Sequence, residues 1–356
     1  MSFGRTGFTT GTCAAAAAKA AVLALTGAYV TDVIEVALAN GSRVSLPIAH
    51  VHRNENNAQA AVRKDAGDDP DVTDGCLVVV SVEWLGGSQI ELRGGDGVGT
   101  VTKPGLSIPP GNPAINPVPQ RMIRAAVREV TDRGVRVTIS IPGGDELARK
   151  TFNPRLGVVG GLSILGTTGI VRPFSSTALR EALLCVLRVA SACGVTSPVF
   201  VPGRIGERAA RAMFHLDPEQ LIEVSNEWGF MLDEAASRGF EALLVVGHPG
   251  KLAKLPAGWW DTHSSRSGSA VPMVAALAQQ IIGRSVGEPL TVEGLFTTLD
   301  KSARRAVADA LAAQVRQTVT ERIGGRFPVA VVLVDMVGAF LGTAGDISRW
   351  RQKSTR

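Results

Sequence analysis

The stretch GFTTGTCAAAAAKAA, Gly7 to Ala21, sets the first condition that any fold of this chain must meet. Seven of the eight residues from Ala14 to Ala21 are alanine, the strongest helix former. Such a helix carries no bulky apolar stripe, so it gains stability only by lying close against a sheet with its small side chains inward. Its start is less ordinary. Thr9, Thr10, Gly11 and Thr12 stand together ahead of Cys13. Threonine caps a helix well, and a helix start presents unpaired N–H groups and the positive end of a dipole. Packing alone explains the alanines. The residues Thr9 to Cys13 read further as a seat for a carboxylate or phosphate.

The rest of the chain divides into two kinds of pattern. In the first half, Val33–Gly41 and Arg43–Val51 read as strands joined at Asn40-Gly41, a hairpin signal. Cys76–Trp84 and Gln89–Gly94 read as a second pair, turned at Gly86-Gly87. A helix from Pro119 to about Asp132 and a strand Val135–Pro142 follow. In the second half, short apolar runs alternate with helical stretches. Strands are expected at Ser197–Gly203, Ala242–His248 and Val329–Met336. Helices are expected at Ser175–Cys193, from Ile205, and at Asn226–Ser237, Val271–Ile282 and Lys301–Ile323. Strand–helix alternation gives parallel units. The expected class is α/β with an α+β N-terminal part. Residues 1–155 form one domain, and 156–350 form a Rossmann-like domain with an open, mostly parallel sheet flanked by helices. Residues 351–356 are expected to be a disordered tail.

Bulk properties narrow the function. A chain of 356 residues suffices for about two domains. The net charge of +5 suits an acidic ligand, while the absence of Lys/Arg runs argues against nucleic acid. Four cysteines without a CxxC pair fit a reducing compartment, so a cytoplasmic location is expected. The apolar run Ala14–Leu25 is broken by Lys19 and is too short for a bilayer. A homo-oligomer is compatible with these properties.

Several segments carry chemistry. AGDDPDVTDG, Ala66–Gly75, packs four aspartates into seven positions. It lacks the glycine and distal glutamate of a calcium loop, so no metal site is assigned, and Asp69 is a candidate base. GGDGVG, Gly94–Gly99, has the wrong spacing for a dinucleotide fingerprint and is followed by an extended stretch, leaving Lys103 as a ligand-facing cation. Lys150–Pro173 holds five glycines in thirteen residues, Gly157 to Gly169. It offers Gly166, Thr167 and Thr168 for close approach to a ligand, with Asn153, Arg155 and Arg172 beside them. His248 ends a buried strand, where ligands of open parallel sheets bind, and is a second candidate for proton transfer. Gly203 and Gly206 open the helix after another strand. His263 follows in WWDTHSSRS.

These segments together resemble a known family. GFTTGTCAAAAAKAA, AGDDPDVTDG, TKPGL, NPAINPVP, FNPRLGVVGGLSILGTTGIVRP and GHPGKLAKL are similar to the CbiD family of anaerobic cobalamin synthesis. The chain departs from the family pattern at Pro249 and around Trp259-Trp260-Asp261. The resemblance implies methyl transfer from S-adenosylmethionine to ring carbon C1 of cobalt-precorrin-5B, with the cobalt carried by the tetrapyrrole substrate. It brings no list of site residues with it; the chemistry of such a substrate does the assigning. Thr9, Thr10, Gly11, Thr12, Cys13, Lys103, Asn153, Arg155 and Arg172 are expected toward the polyacidic ring, Gly166, Thr167, Thr168, Gly203, Gly206 and His263 toward the methyl donor, and Asp69 and His248 are the candidates for proton transfer. Two other readings stay open: a small-molecule kinase-like enzyme that seats phosphate on the first helix, and a carrier that binds the tetrapyrrole without chemistry.

Overall fold

The computed structural model describes residues 4–351. The chain forms two compact units, one ending at Thr177 and the next beginning at Ala178.

The first unit runs β1 (Gly7–Phe8), α1 (Thr10–Thr26), β2 (Val33–Ala37), β3 (Arg43–Pro47), β4 (His50–Arg53), β5 (Asn57–Arg63), β6 (Leu77–Trp84), β7 (Ile90–Gly94), β8 (Thr100–Val101), α2 (Pro117–Arg128), β9 (Val135–Ser140), α3 (Gly144–Ala148), α4 (Asn153–Leu156), β10 (Val158–Val159) and β11 (Ile170–Val171). The first helix forms as its composition demands. Thr9 caps it by accepting from the Thr12 N–H, and Gly27 ends it in the left-handed region with φ 84°. Ala14 to Ala18, Ala20 and Ala21 are all fully buried, which lets α1 lie close to β5, β6 and α2. The main sheet has the order β4-β5-β6-β9-β7, antiparallel except for β9 with β7. Alternation is strict on β9, where Val135, Val137 and Ile139 are buried and Arg136, Thr138 and Ser140 partly exposed.

Four expectations need correction. The stretches 76–84 and 89–94 are not a hairpin: β9 lies between β6 and β7 and pairs with both. The run 43–51 breaks at Pro47, which cannot donate to a ladder. Its first part pairs with β2, and its continuation, β4, pairs with β5. Residues 156–177, expected in the second domain, belong to the first unit. There β10 pairs with β8 and β11 pairs with β1. At the other end Ser348–Arg351 is a helical turn, with Trp350 buried and its indole N–H donating to the Ser197 carbonyl at 2.9 Å. The expected tail therefore begins no earlier than residue 352, and residues 352–356 lie outside the described residues.

The second unit continues from the helix α5 (Ser176–Ala192) through β12 (Val199–Val201), α6 (Arg204–Met213), β13 (Leu221–Glu223), α7 (Trp228–Ala236), β14 (Leu243–Gly247), α8 (Pro249–Leu252), α9 (Val271–Ile282), α10 (Val292–Thr298), α11 (Lys301–Arg322), β15 (Val329–Val334), β16 (Phe340–Ala344) and α12 (Ser348–Arg351). Its sheet has the order β13-β12-β14-β15-β16, with the first four strands parallel and β16 an antiparallel edge. Every residue of β12, β14 and β15 is buried, as expected of parallel strands covered on both faces. The chain leaves β12 toward one edge and returns to β14 on the other side. The order reverses there, and in open α/β sheets the carboxyl ends of the strands at such a reversal are where ligands generally bind.

Candidate functional site

In the first unit the threonine-rich helix start meets the glycine-rich segment at short range. The Thr9 N–H donates to the Gly169 carbonyl at 3.1 Å, and the Gly11 N–H to Leu165 at 3.0 Å. The Thr12 hydroxyl donates to Gly169 at 2.7 Å, and the Thr10 hydroxyl accepts from the Leu165 N–H at 2.9 Å. Gly166 sits so close to the cap, at φ 135°, that a Cβ would lie 2.3 Å from the Thr9 hydroxyl. Thr9, Thr10, Gly11, Thr12 and Cys13 are all buried. Burial pushes the Cys13 thiol up to about 12, so it stays protonated at neutral pH. The expected anion seat is thus filled by the protein's own carbonyls. These residues fix the course of 163–171.

Asn153 is buried too, with its amide donating to the Gly161 carbonyl at 2.9 Å and its oxygen accepting from Ser163. What this framework exposes is the run after it: Leu165, Thr167, Thr168, Arg172 and Phe174. Lys103 and Arg155 are half-buried, with the Lys103 stem against Gly157. The aspartates serve main-chain donors: Asp68 accepts from the Arg5 N–H, Asp74 from Ala66 and Asp69 from Phe174, at 2.9 Å for the last. Asp71 pairs with the buried Lys64 at 2.8 Å. Burial pushes the Asp71 carboxyl up, but Lys64 and Thr73 outweigh it and hold the group below its ordinary value. Asp69 is half-buried, and it holds Phe174 at φ 54°, a left-handed conformation rare for an aromatic residue, with the ring 82% exposed.

In the second unit the segments that follow β12 and β14 carry Gly203, Gly206 and His248. Gly206 is packed so tightly that a Cβ would meet the Val246 carbonyl at 2.5 Å, which fixes α6 against β14. His248 caps α8: its Nδ1 accepts from the Gly250 N–H at 3.0 Å, so the ring proton is on Nε2, which donates to Glu293 at 2.7 Å. Both nitrogens are committed, so His248 acts as an anchor in this arrangement. His263 is exposed and joined to Ser265. Gly166, Thr167 and Thr168 belong to the first unit, and Gly203, Gly206 and His263 to the second.

Sequence reading passed over the loop after β13. Ser225 has φ 54°. Asn226 accepts from Lys251 at 2.8 Å and from Thr262 at 3.2 Å. Glu227 is 2% exposed; one oxygen accepts from Arg180 at 2.6 Å and the other has no partner. Burial and the neighbouring Lys254 lower the Lys251 pKa, opposed by Glu223 and Asp261. The available signal was positional: these residues directly follow a strand at the carboxyl edge of a parallel sheet.

Comparison with known proteins adds the lineage. The CbiD pattern matches residues 2–173, and that of the CbiD C-terminal domain matches residues 261–345. A cobalt-precorrin-5B C(1)-methyltransferase from Syntrophotalea carbinolica is 54% identical over 97% of this chain and 98% of its own. The enzyme of the same name from Methanocaldococcus jannaschii is 40% identical over 95% of both chains. A crystal structure of the cobalamin biosynthesis protein CbiD from Archaeoglobus fulgidus covers 74% of this chain and 83% of that one, at 31% identity and a TM-score of 0.40. Among the described residues no helix is long and apolar enough to cross a membrane. With both family patterns matched and near-full-length likeness to relatives of one name, the chain belongs to the CbiD family.

Proposed function

We propose that this chain methylates C1 of cobalt-precorrin-5B, giving cobalt-precorrin-6A, with S-adenosylmethionine as donor. The observation that carries this is the 54% identity over nearly the whole chain to a methyltransferase of that name. The substrate is a flat ring bearing several carboxylates and its own cobalt. Lys103, Arg155 and Arg172 supply cations to such a ring, Arg in a planar fork that matches a carboxylate. Phe174, exposed and held by Asp69, offers it an apolar face. Thr9, Thr10, Thr12 and Asn153 act behind these groups by fixing 163–171.

The donor is assigned to the second unit, read as Rossmann-like. Residues there fit it: Gly203 leaves open the space that a side chain would fill near the Glu223 carboxylate, and Gly206 brings α6 against the sheet. When bound, S-adenosylmethionine supplies an electrophilic methyl group on a sulfonium. The chain's task is chiefly positioning, for which orientation can contribute about 7–11 kcal/mol. His248 steadies the loop by joining α8 to α10. Where a proton must leave the ring, Asp69 is the carboxylate assigned to take it.

The test is incubation of the purified chain with cobalt-precorrin-5B and methyl-labelled S-adenosylmethionine. Label in the tetrapyrrole, located at C1 by NMR, is the expected result. Tetrapyrrole binding without label transfer would instead mark a carrier.

A further inference from the structure

We propose that His50 and His52 form a binding site for a divalent first-row transition cation, Zn²⁺ or Ni²⁺, completed by the amide oxygen of Gln59 and by water. The site goes beyond the methyl-transfer reading, in which neither histidine takes part.

Strand geometry brings the donors together. Residues two apart on a strand share a face, and on β4 one face carries His50 and His52. Val51, between them, turns the other way and packs against the apolar core around α1. Arg53 shares the Val51 side and reaches Gly27 at the end of α1, which takes the adjoining positive charge away from the histidines. The two imidazole rings lie 5.4 Å apart, centre to centre, tilted by 38°. Zinc holds an imidazole nitrogen at about 2.0–2.1 Å, so each ring centre lies about 3.2 Å from the ion, and two rings at the tetrahedral angle stand about 5.2 Å apart. The pair is thus already spaced as a chelate, and imidazole suits zinc and nickel. The neighbouring strand supplies the rest. Register sets Gln59 of β5 opposite His52 and Ala61 opposite His50. Ala61 adds no bulk beside the rings. Gln59 donates from its amide nitrogen to the Ser81 hydroxyl at 3.0 Å, which leaves the amide oxygen as the atom available to an ion. His52, Gln59, Ser81 and Thr138 line one cavity of about 460 Å³, with room for water in the remaining coordination positions. Because β4 is the edge of the sheet, no further strand crowds the pair. Among the described residues no three His, Cys, Asp or Glu side chains gather as a metal site, so the third protein ligand is the amide.

Calorimetric titration of the full chain with Ni²⁺, and separately with Zn²⁺, tests the site. Wild-type protein is expected to bind one ion at this pair and to melt at a higher temperature with the ion than without it, because an ion held from both strands ties the edge strand to β5. His50→Ala and His52→Ala are each expected to weaken binding by more than about 10- to 100-fold, the range for losing only an outer partner of a metal site. Gln59→Leu keeps both imidazoles and is expected to weaken binding about 10-fold. Melting points measured without metal should match wild type in all three variants, which separates lost binding from lost fold. His215→Gln leaves the pair intact and should bind as wild type does. A wild-type chain that takes up neither ion, or a double variant His50→Ala, His52→Ala that binds as tightly as wild type, overturns the site. Undiminished affinity in Gln59→Leu overturns the tie to β5.

Discussion

Replacing Thr10 and Thr12 by valine separates two roles for the helix start. Valine keeps the shape of threonine and removes the hydroxyl. At Thr10 this strands the Leu165 N–H, which donates to the hydroxyl at 2.9 Å, and ends the contact with the Ser163 carbonyl at 3.2 Å. Two hydrogen bonds of about 1 kcal/mol each, one leaving an unpaired donor, give a cost of about 2 kcal/mol. At Thr12 the Gly169 carbonyl loses the hydroxyl at 2.7 Å but keeps the Thr9 N–H at 3.1 Å. That loss is about 1 kcal/mol. Together the substitutions should cost about 3 kcal/mol, which lowers the melting point of a unit this size by about 6–12 °C. Differential scanning calorimetry measures the shift, and titration with the tetrapyrrole measures binding in the cold, where the variant is still folded. The structure requires the first effect to be large. A melting point unchanged within about 2 °C beside a tenfold loss of tetrapyrrole affinity would refute it, because the hydroxyls would then serve the ligand rather than residues 163–169.

Gly206→Ala drives a methyl group against the Val246 carbonyl, 2.5 Å from the ideal Cβ, and should cost about 1–3 kcal/mol by overpacking, seen as a lower midpoint in urea. His248→Gln should lower stability by about 1 kcal/mol through loss of the α8 cap and the tie to Glu293. The pH profile of label transfer should keep its shape, whereas a lost acidic limb would restore His248 as a base. The Glu129 carboxyl is held at about 2, below the usual carboxylate range, first by its hydrogen bond to Arg43 and then, against the cost of burial, by Lys19. A lowered carboxylate stabilises the fold above its unfolded pKa and loses that contribution as pH falls. Wild type should therefore exceed Glu129→Gln by about 1 kcal/mol at pH 7 after solvent screening, with the gap closing between about pH 4.5 and pH 2 in urea titrations.

The parts of the fold most visible in the sequence were those with one dominant signal. The alanine run allowed only a closely packed helix, and the apolar runs at 199–201, 243–247 and 329–334 allowed only covered strands. The strand Asn57–Arg63 was missed because it is built around alanine, which has weak strand preference; its place comes from β4 and β6 on either side. The false hairpin at Gly86-Gly87 had the same origin. The turn is real, with Gly87 at φ 72°, but it opens wide enough to admit β9 from more than forty residues on. At the candidate site, residue type picked out polar segments and could not tell an exposed side chain from one that supports the backbone. Thr10 and Asn153 look like ligand contacts in a string of letters; only the coordinates show their polar atoms spent on Leu165 and Gly161.

The pairing of Gly7–Phe8 with Ile170–Val171 has a consequence for biosynthesis. Gly7 and Phe8 have their partners 164 and 162 positions later, so the first unit cannot be finished until nearly half of the chain has been translated. At about 5–20 residues per second on the ribosome, the helix start waits some 8–33 s with its carbonyl partners still unmade. During that interval the buried threonine cluster has none of the cover that residues 163–171 give it in the folded unit.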